Sequence, residues 1–192
     1  MKKLIISISV LCAMALTSVR VSAQGMSMKT DQATTVGEES MYPARNIIDN
    51  AVNSKDHTTL VAAVKAAGLV ETLKGKGPFT VFAPTNDAFE NLPGGTVESL
   101  LKQDMKPALT KVLTYHVLPG KYDFNALSKL IKEGKGKASV KTVSGGMLSF
   151  SMNGNHNIMV WDEKGGSANI PVYDVYQSNG VIHVIDAVLM PK

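Results

Sequence analysis

The segment PFTVFAPTNDAF, residues 78–89, restricts the possible folds more than any other part of this chain. Residues 79–82 alternate between two largely apolar faces, which is the pattern of a buried strand. Pro84 has no backbone N–H group, so it ends the strand. The polar residues that follow suit a helix N-terminus, where oxygen atoms accept from free backbone N–H groups and an acid complements the helix dipole. These residues, assigned here to fold integrity, are Thr85, Asn86 and Asp87.

Two further motifs accompany this strand-to-helix passage. One is LTYHVLPG, residues 113–120, and the other is NGVIHVIDAVLMP, residues 179–191. In this order and at these distances, the three motifs closely resemble the fasciclin (FAS1) domain family. The resemblance covers about residues 42–191. It implies an α+β fold, a wedge of two packed, mainly antiparallel β-sheets with helices from the N-terminal half packed alongside.

Apolar periodicity agrees with that fold class. Helical spacing dominates the first half of the chain and strand alternation dominates the second, and this order favours α+β over strict βαβ alternation. The predicted helices lie near residues 47–52, 60–75, 96–101, 105–114 and 125–133. The predicted strands of the second half, separated by Gly-containing turns, lie near residues 140–143, 147–152, 157–161, 168–176 and 181–190.

The first 23 residues have the pattern of a signal peptide. Two lysines precede an apolar stretch over residues 4–16, and small residues stand before Gln24. The stretch is shorter than the roughly 20 residues that span a bilayer. We therefore expect cleavage after Ala23 and a secreted or periplasmic protein without an integral membrane anchor.

Removal of this leader changes the charge of the chain. Three basic residues of the leader supply most of the net charge of +4, so the rest of the chain is nearly neutral. A nucleic-acid-binding surface needs clustered positive charge, so nucleic acid is not an expected partner. The single cysteine, Cys12, also leaves with the leader, so the mature protein folds without disulfides.

The leader precedes one domain. Residues 24–41 are small, polar and without apolar periodicity, which predicts a flexible N-terminal tail. From Met41 the apolar pattern runs to Met190 without an internal repeat. A length of about 150 residues is typical of one domain, so we assign residues 42–192 to a single FAS1 domain.

The resemblance also implies contact residues for a partner. In animal FAS1 proteins a Tyr-His pair between branched aliphatic residues belongs to an integrin-binding surface, and an acidic-aliphatic motif precedes the final Asn-Gly turn. Exposed tyrosines beside the acidic residue would suit a protein-binding edge. The candidate contacts for an extracellular or cell-surface protein or glycan are Tyr115, His116, Tyr173, Asp174, Val175 and Tyr176.

Several of these candidate contact residues also have an alternative, structural role. Tyr115 would pack inward while His116 fixes the turn after its helix, and the strand tyrosines would be buried. His183 lies in a strand with two apolar faces, so we expect a core histidine with a hydrogen-bonded ring. These alternatives assign the same residues to the fold instead of to a partner.

Catalytic signatures and cofactor motifs are missing from the sequence. It contains no Gly-x-Ser-x-Gly elbow, no His-Glu-x-x-His helix and no phosphate-cradling loop. The Gly-rich segments at 74–77 and 144–146 are interpreted as turns. A hydrolase would need two close carboxylates, one with a raised pKa. The expectation is a non-catalytic adhesion or interaction module with no cofactor.

The alternative function is a periplasmic carrier of a small ligand or of copper. Thioether and imidazole groups suit copper(I), and four such residues lie close together in the sequence. Methionine is also a common core residue, and the spacing matches no repeated metal motif, so no metal site is assigned. The four residues are Met147, Met152, His156 and Met159.

Overall fold

The computed structural model describes residues 33–154 and 156–192. The predicted signal peptide and residues 24–32 of the predicted tail lie outside this part of the chain. The helices are α1 (Ile47–Ala51), α2 (Thr58–Ala67), α3 (Val70–Lys74), α4 (Asn86–Glu90), α5 (Thr96–Leu100), α6 (Lys106–Tyr115) and α7 (Phe124–Glu133), with 3-10 turns at Lys55–His57 and Gln103–Met105. The strands are β1 (Thr34–Val36), β2 (Glu39–Met41), β3 (Phe79–Pro84), β4 (Val117–Pro119), β5 (Lys137–Lys141), β6 (Met147–Asn153), β7 (Asn157–Trp161), β8 (Ser167–Asn169), β9 (Val172–Gln177) and β10 (Gly180–Ile185).

Two four-stranded sheets organise the domain. The central sheet has the order β4-β3-β10-β9, and only its β3–β10 pair is parallel. The second sheet is the antiparallel meander β5-β6-β7-β8. The predicted α+β class with mainly antiparallel sheets is confirmed. Gly180 pairs with Phe79, and any Cβ atom at position 180 would collide with the Phe79 carbonyl group.

The central sheet is buried on both faces because its apolar side chains alternate between two cores. Val81 and Ile182 face the helix-side core, which α1, α2, α3 and α6 cover. Phe82 and Ile185 face the inter-sheet core, which the second sheet and α7 cover. This is the two-faced burial that the alternation within residues 79–82 predicts. Burying such a side chain contributes roughly 1.5–3 kcal/mol each, so the two cores hold the sheet in place.

Two predicted elements are divided in the structure. The long helix predicted over 60–75 ends as α2 at Gly68, where a φ of 75° gives the left-handed cap that glycine favours, and α3 then begins at Val70. The strand predicted over 168–176 is separated into β8 and β9 around Pro171, which cannot donate to a ladder. Apolar periodicity continues across both breaks, so it did not reveal them.

The predicted tail is wrong for residues 34–41, which form the hairpin β1–β2. Its turn residues, Gly37 and Glu38, both have positive φ values, 61° and 64°, as a tight hairpin turn requires. Val36 and Met41 are 4% and 2% exposed and belong to the helix-side core. One buried side chain from each short strand is too little periodicity to identify a strand from sequence.

Candidate functional site

Tyr115 is a core residue at the end of α6. Its side chain is fully buried, its hydroxyl group donates to the Met147 carbonyl oxygen at 2.8 Å, and it accepts from the Glu163 N–H group at 3.0 Å. Burial raises the pKa of Tyr115 to about 12. The ring therefore links α6 to the second sheet as a neutral phenol.

His116 is also buried, and both of its ring nitrogens have backbone partners. Nδ1 lies 2.8 Å from the Val112 carbonyl oxygen, to which it donates, and Nε2 accepts from the Leu189 N–H group at 3.0 Å. Burial lowers the pKa of His116 to about 4, so the ring is neutral at physiological pH. Neither Tyr115 nor His116 is accessible to a partner, so the contact role predicted for them is corrected to a structural one.

Two of the β9 candidates also face inward. Val175 has no exposed surface. The Tyr173 hydroxyl group accepts from the Ile158 N–H group at 2.6 Å, and its ring packs edge-on against Phe124 and His183, with centroids 5.1 and 5.9 Å apart. Tyr173 therefore joins the two sheets and Val175 belongs to the helix-side core, which corrects the contact role predicted for both.

Asp174 lies at an irregularity of β9 and connects three elements. Its φ is 57°, and the register with β10 shifts at this point. Its carboxylate accepts from the Phe124 N–H group at 2.8 Å, and its own N–H group donates to His183 Nδ1 at 3.3 Å. His183 Nε2 donates in turn to the Tyr122 carbonyl oxygen at 2.8 Å. Burial lowers the pKa of His183, which keeps this ring neutral.

The remaining candidate, Tyr176, is partly exposed and lies among charged groups. The Lys121 ammonium group is 4.5 Å from the centre of its ring, and its hydroxyl group is 3.5 Å from a carboxylate oxygen of Asp123. Partial burial and the nearby carboxylates of Asp174 and Asp123 raise the pKa of Tyr176 to about 12. We call Lys121, Asp123, Asp174 and Tyr176 the Tyr176 face.

An open polar depression of about 550 Å³ shares Lys121 with the Tyr176 face. It is lined by Asn46, Lys74, Gly75, Lys76, Gly77, Pro78, Lys121, Gln177, Ser178, Asn179 and Gly180. Its three lysines come from two segments that are distant in sequence. Lys74 pairs with Asp49 at 2.9 Å, whereas no ion pair of Lys76 or Lys121 occurs among the described residues. The sequence predicts only a turn at 74–77 and no role for Lys121, because the proximity of these residues depends on the fold.

The predicted helix-capping residues bind the N-termini of two different helices. The Thr85 hydroxyl group accepts from the Ala88 N–H group at 3.3 Å and caps α4, with Asp87 in the first turn. Asn86 instead accepts from the Thr59 N–H group at 3.0 Å, in the first turn of α2. The strand-to-helix motif therefore also fixes the start of a helix that precedes it in the chain.

A separate apolar cavity of about 280 Å³ lies in the helix-side core. Its walls are mainly aliphatic side chains from α1, α2, α3, α6 and β3, and His57 also lines it. His57 has no role predicted from the sequence, because a lone histidine between two polar residues carries no spacing signal.

The suggested copper ligands do not converge. Met152 packs against the inter-sheet core, whereas Met147 and Met159 lie on the opposite, outward side of their strands. His156 is exposed beside the β6–β7 turn. Within residues 33–154 and 156–192, no group of three or more His, Cys, Asp or Glu side chains is placed to hold a metal ion. In the same part of the chain, no helix is long and apolar enough to cross a membrane.

A mixed sheet with helices on one face and an antiparallel meander on the other defines an α+β module of the FAS1 type. The chain belongs to the Fasciclin domain family, whose model matches residues 55–191. It is 44% identical over 162 residues to Protein sll1483 of Synechocystis, covering 84% of this chain and 82% of that protein. It is 33% identical to Immunogenic protein MPB70 of Mycobacterium bovis, covering 73% and 66% of the two chains.

Longer proteins also contain the module. The chain is 34% identical over 149 residues to the Transforming growth factor-beta-induced protein ig-h3 of Sus scrofa, and the match covers 20% of that protein. A solved FAS1 domain pair from the insect cell adhesion molecule Fasciclin I superposes with a TM-score of 0.67 at 19% identity. The match covers 83% of this chain and spans 57% of the solved chain, and it establishes the shared fold.

Proposed function

We propose that this protein is an exported, non-catalytic FAS1 binding module that holds an extracellular or cell-surface protein or glycan. The observation that carries the proposal is the Tyr176 face, which adjoins a lysine-lined polar depression. Tyrosine combines a rigid apolar ring with a polar hydroxyl group, and for this reason it is frequent at interfaces. The similarity to a cell adhesion molecule also supports a binding function.

The charge of the depression indicates the chemistry of the partner. Lys76 and Lys121 have no ion-pair partner among the described residues and line the same concave surface. Ammonium groups in this arrangement favour a partner that carries carboxylates, either an acidic protein segment or a uronate-containing glycan. The Lys121 ammonium group also packs over the Tyr176 ring, so a positive charge and an aromatic surface lie next to each other. The interaction would then weaken as salt concentration rises.

Two of the buried histidines, His116 and His183, support a non-catalytic role. A general base needs an accessible nitrogen within hydrogen-bond reach of the substrate. His116 and His183 use both ring nitrogens on backbone groups. Tyr115 is likewise committed to two backbone partners.

A charge-reversal experiment tests the binding surface. Titration calorimetry would measure binding of poly-glutamate and of alginate oligomers to the wild type and to a Lys76→Glu/Lys121→Glu variant. We expect at least a tenfold loss of affinity for the acidic polymer that binds. The matched control is Lys137→Glu/Lys141→Glu, two exposed lysines of β5 in the other sheet.

The two polymers distinguish the partner classes. Preference for poly-glutamate would indicate a protein partner, and preference for alginate would indicate a glycan. If the two double variants lose the same amount of affinity, the depression is not the binding site. The loss of affinity would then depend only on the net charge of the protein. Failure of both polymers to bind would contradict an acidic partner.

Export has its own test. Intact-mass measurement of the protein recovered from the periplasm and from the culture medium should give the mass of residues 24–192. Full-length protein confined to the cytoplasm would contradict the proposed signal peptide.

A further inference from the structure

The apolar cavity in the helix-side core has the dimensions of a small-ligand site. At about 280 Å³, it is larger than engineered apolar cavities of about 150 Å³ that bind benzene. Leu60, Val64, Leu73 and Val81 are among the aliphatic residues that line it. Such walls favour an apolar occupant, since an empty void leaves their atoms without dispersion partners.

His57 supplies a polar group at this cavity. The residue is 1% exposed, and its Nδ1 atom lies 2.9 Å from Ser54 Oγ. Ser54 Oγ also lies 3.2 Å from the Val36 carbonyl oxygen, and both contacts are hydrogen bonds only when the hydroxyl group donates to Val36 and His57 Nδ1–H donates to Ser54. This assigns the Nδ1–H tautomer and leaves Nε2 as an acceptor.

The Nε2 atom of His57 has no hydrogen-bond partner within the described residues. Burial lowers the pKa of His57, although the nearby Ala83 carbonyl group and the Asp56 charge oppose part of that effect. The ring is therefore neutral, and a buried acceptor without a donor has a free-energy cost. A ligand that places an O–H group at Nε2 would remove this cost.

We propose that the cavity binds a slim aliphatic alcohol of roughly eight carbon atoms, whose hydroxyl group donates to His57 Nε2. The cavity volume equals roughly nine water volumes, and a methylene group is similar in size to a water molecule. A carboxylate fits less well, because it has no hydrogen to donate and its charge would be buried beside a lone pair.

The cavity is accessible at its edge. Val52 and Val143 line it and are 45% and 46% exposed, so apolar side chains lead from the surface to the interior. Asp49, Lys65 and Lys74 also border it and supply a polar rim. This site lies on the helix-covered side of the central sheet and does not include the Tyr176 face, whereas Lys74 borders both this cavity and the polar depression.

The test compares two probes of equal size. 1-Octanol carries the O–H group, and 1-methoxyheptane has the same number of heavy atoms but no hydrogen to donate. Nuclear magnetic resonance titration of the purified protein would follow the amides of the lining residues and the ¹⁵N shift of His57 Nε2. We expect lining amides to shift, Nε2 to move upfield with octanol only, and octanol to bind at least tenfold more tightly.

Variants separate the polar and apolar contributions. His57→Phe should abolish the preference for octanol, while the matched His156→Phe change at an exposed histidine should preserve it. Val64→Phe should fill the cavity and block both probes. If that variant does not fold, the Nε2 shift of the wild type still decides the question.

Two results would overturn the proposal. One is the absence of shifts at the lining amides up to octanol saturation. The other is equal affinity for the two probes, which would remove the role of His57.

Discussion

Asp174 accepts a hydrogen bond from the backbone N–H group of Phe124 at 2.8 Å, so a strand residue completes the N-terminus of helix α7. Asp123 caps the same helix by accepting from the Ala126 N–H group at 2.9 Å. Two carboxylates from distant positions therefore satisfy separate N–H groups of one helix. The residue assigned from sequence to partner binding also has a structural function.

Asp174→Ala should lower the free energy of unfolding by about 1–2 kcal/mol, because the Phe124 N–H group loses its acceptor. Asp174→Asn should cost less, since asparagine retains an acceptor oxygen and tolerates the positive φ of 57°. Thermal and urea denaturation would measure both variants. Asp104→Ala, at an exposed position, is the control. A role in partner contact alone would leave the melting temperature of Asp174→Ala unchanged, and that result would contradict the structural role.

Asn86→Ala should destabilise the protein by about 1–2 kcal/mol, more than the single lost cap of Thr85→Ala. Asn86 accepts from both Thr59 N–H and the Thr58 hydroxyl group and donates to the Lys55 carbonyl oxygen at 2.8 Å. Urea denaturation gives the two values. Hydrogen exchange should also increase at the start of α2 in the Asn86 variant, and an increase confined to α4 would contradict this assignment.

Stability should decrease as the pH falls from about 6.5 to 4. The unfolded pKa of His116 is about 6.5, whereas burial lowers the folded pKa to about 4. Between these values the unfolded chain binds a proton that the folded chain does not, so stability is complete above the unfolded pKa and is lost below it. The loss from His116 alone approaches about 3 kcal/mol.

Urea denaturation at several pH values measures this dependence. The His116→Gln variant should have a shallower slope. Part of the dependence of stability on pH should remain in this variant, because burial also lowers the pKa values of His57 and His183. An unchanged slope in His116→Gln would show that this residue does not titrate differently in the two states.

Met41→Ala should cost about 2–5 kcal/mol, because its side chain is 2% exposed in the helix-side core. Ser40→Ala, the neighbouring exposed position, should have almost no effect and serves as the control. Thermal denaturation distinguishes the two. Equal melting of both variants would indicate that the β1–β2 hairpin adds nothing to the core.

Local patterns along the chain were enough to predict the fold class and the central strands. The alternation in residues 79–82 and in 181–185 identified β3 and β10, because a strand buried on both faces needs apolar side chains at successive positions. The burial of His183 followed from the same pattern. Breaks at Gly68 and Pro171 were missed, since apolar spacing continues through them.

The candidate sites depended on tertiary structure. Motif resemblance marked Tyr115 and His116 for a surface, but both are buried. Tyr115 packs in the inter-sheet core, and His116 bonds to α6 and to the segment after β10. Lys76 and Lys121 meet because the segments flanking β3 and β4 end at one edge, and His57 reaches a cavity formed by several helices. Sequence by itself determined which segments must be buried, since periodicity is a local property. Exposure and proximity were decided only by the packing of distant segments, which local periodicity does not record.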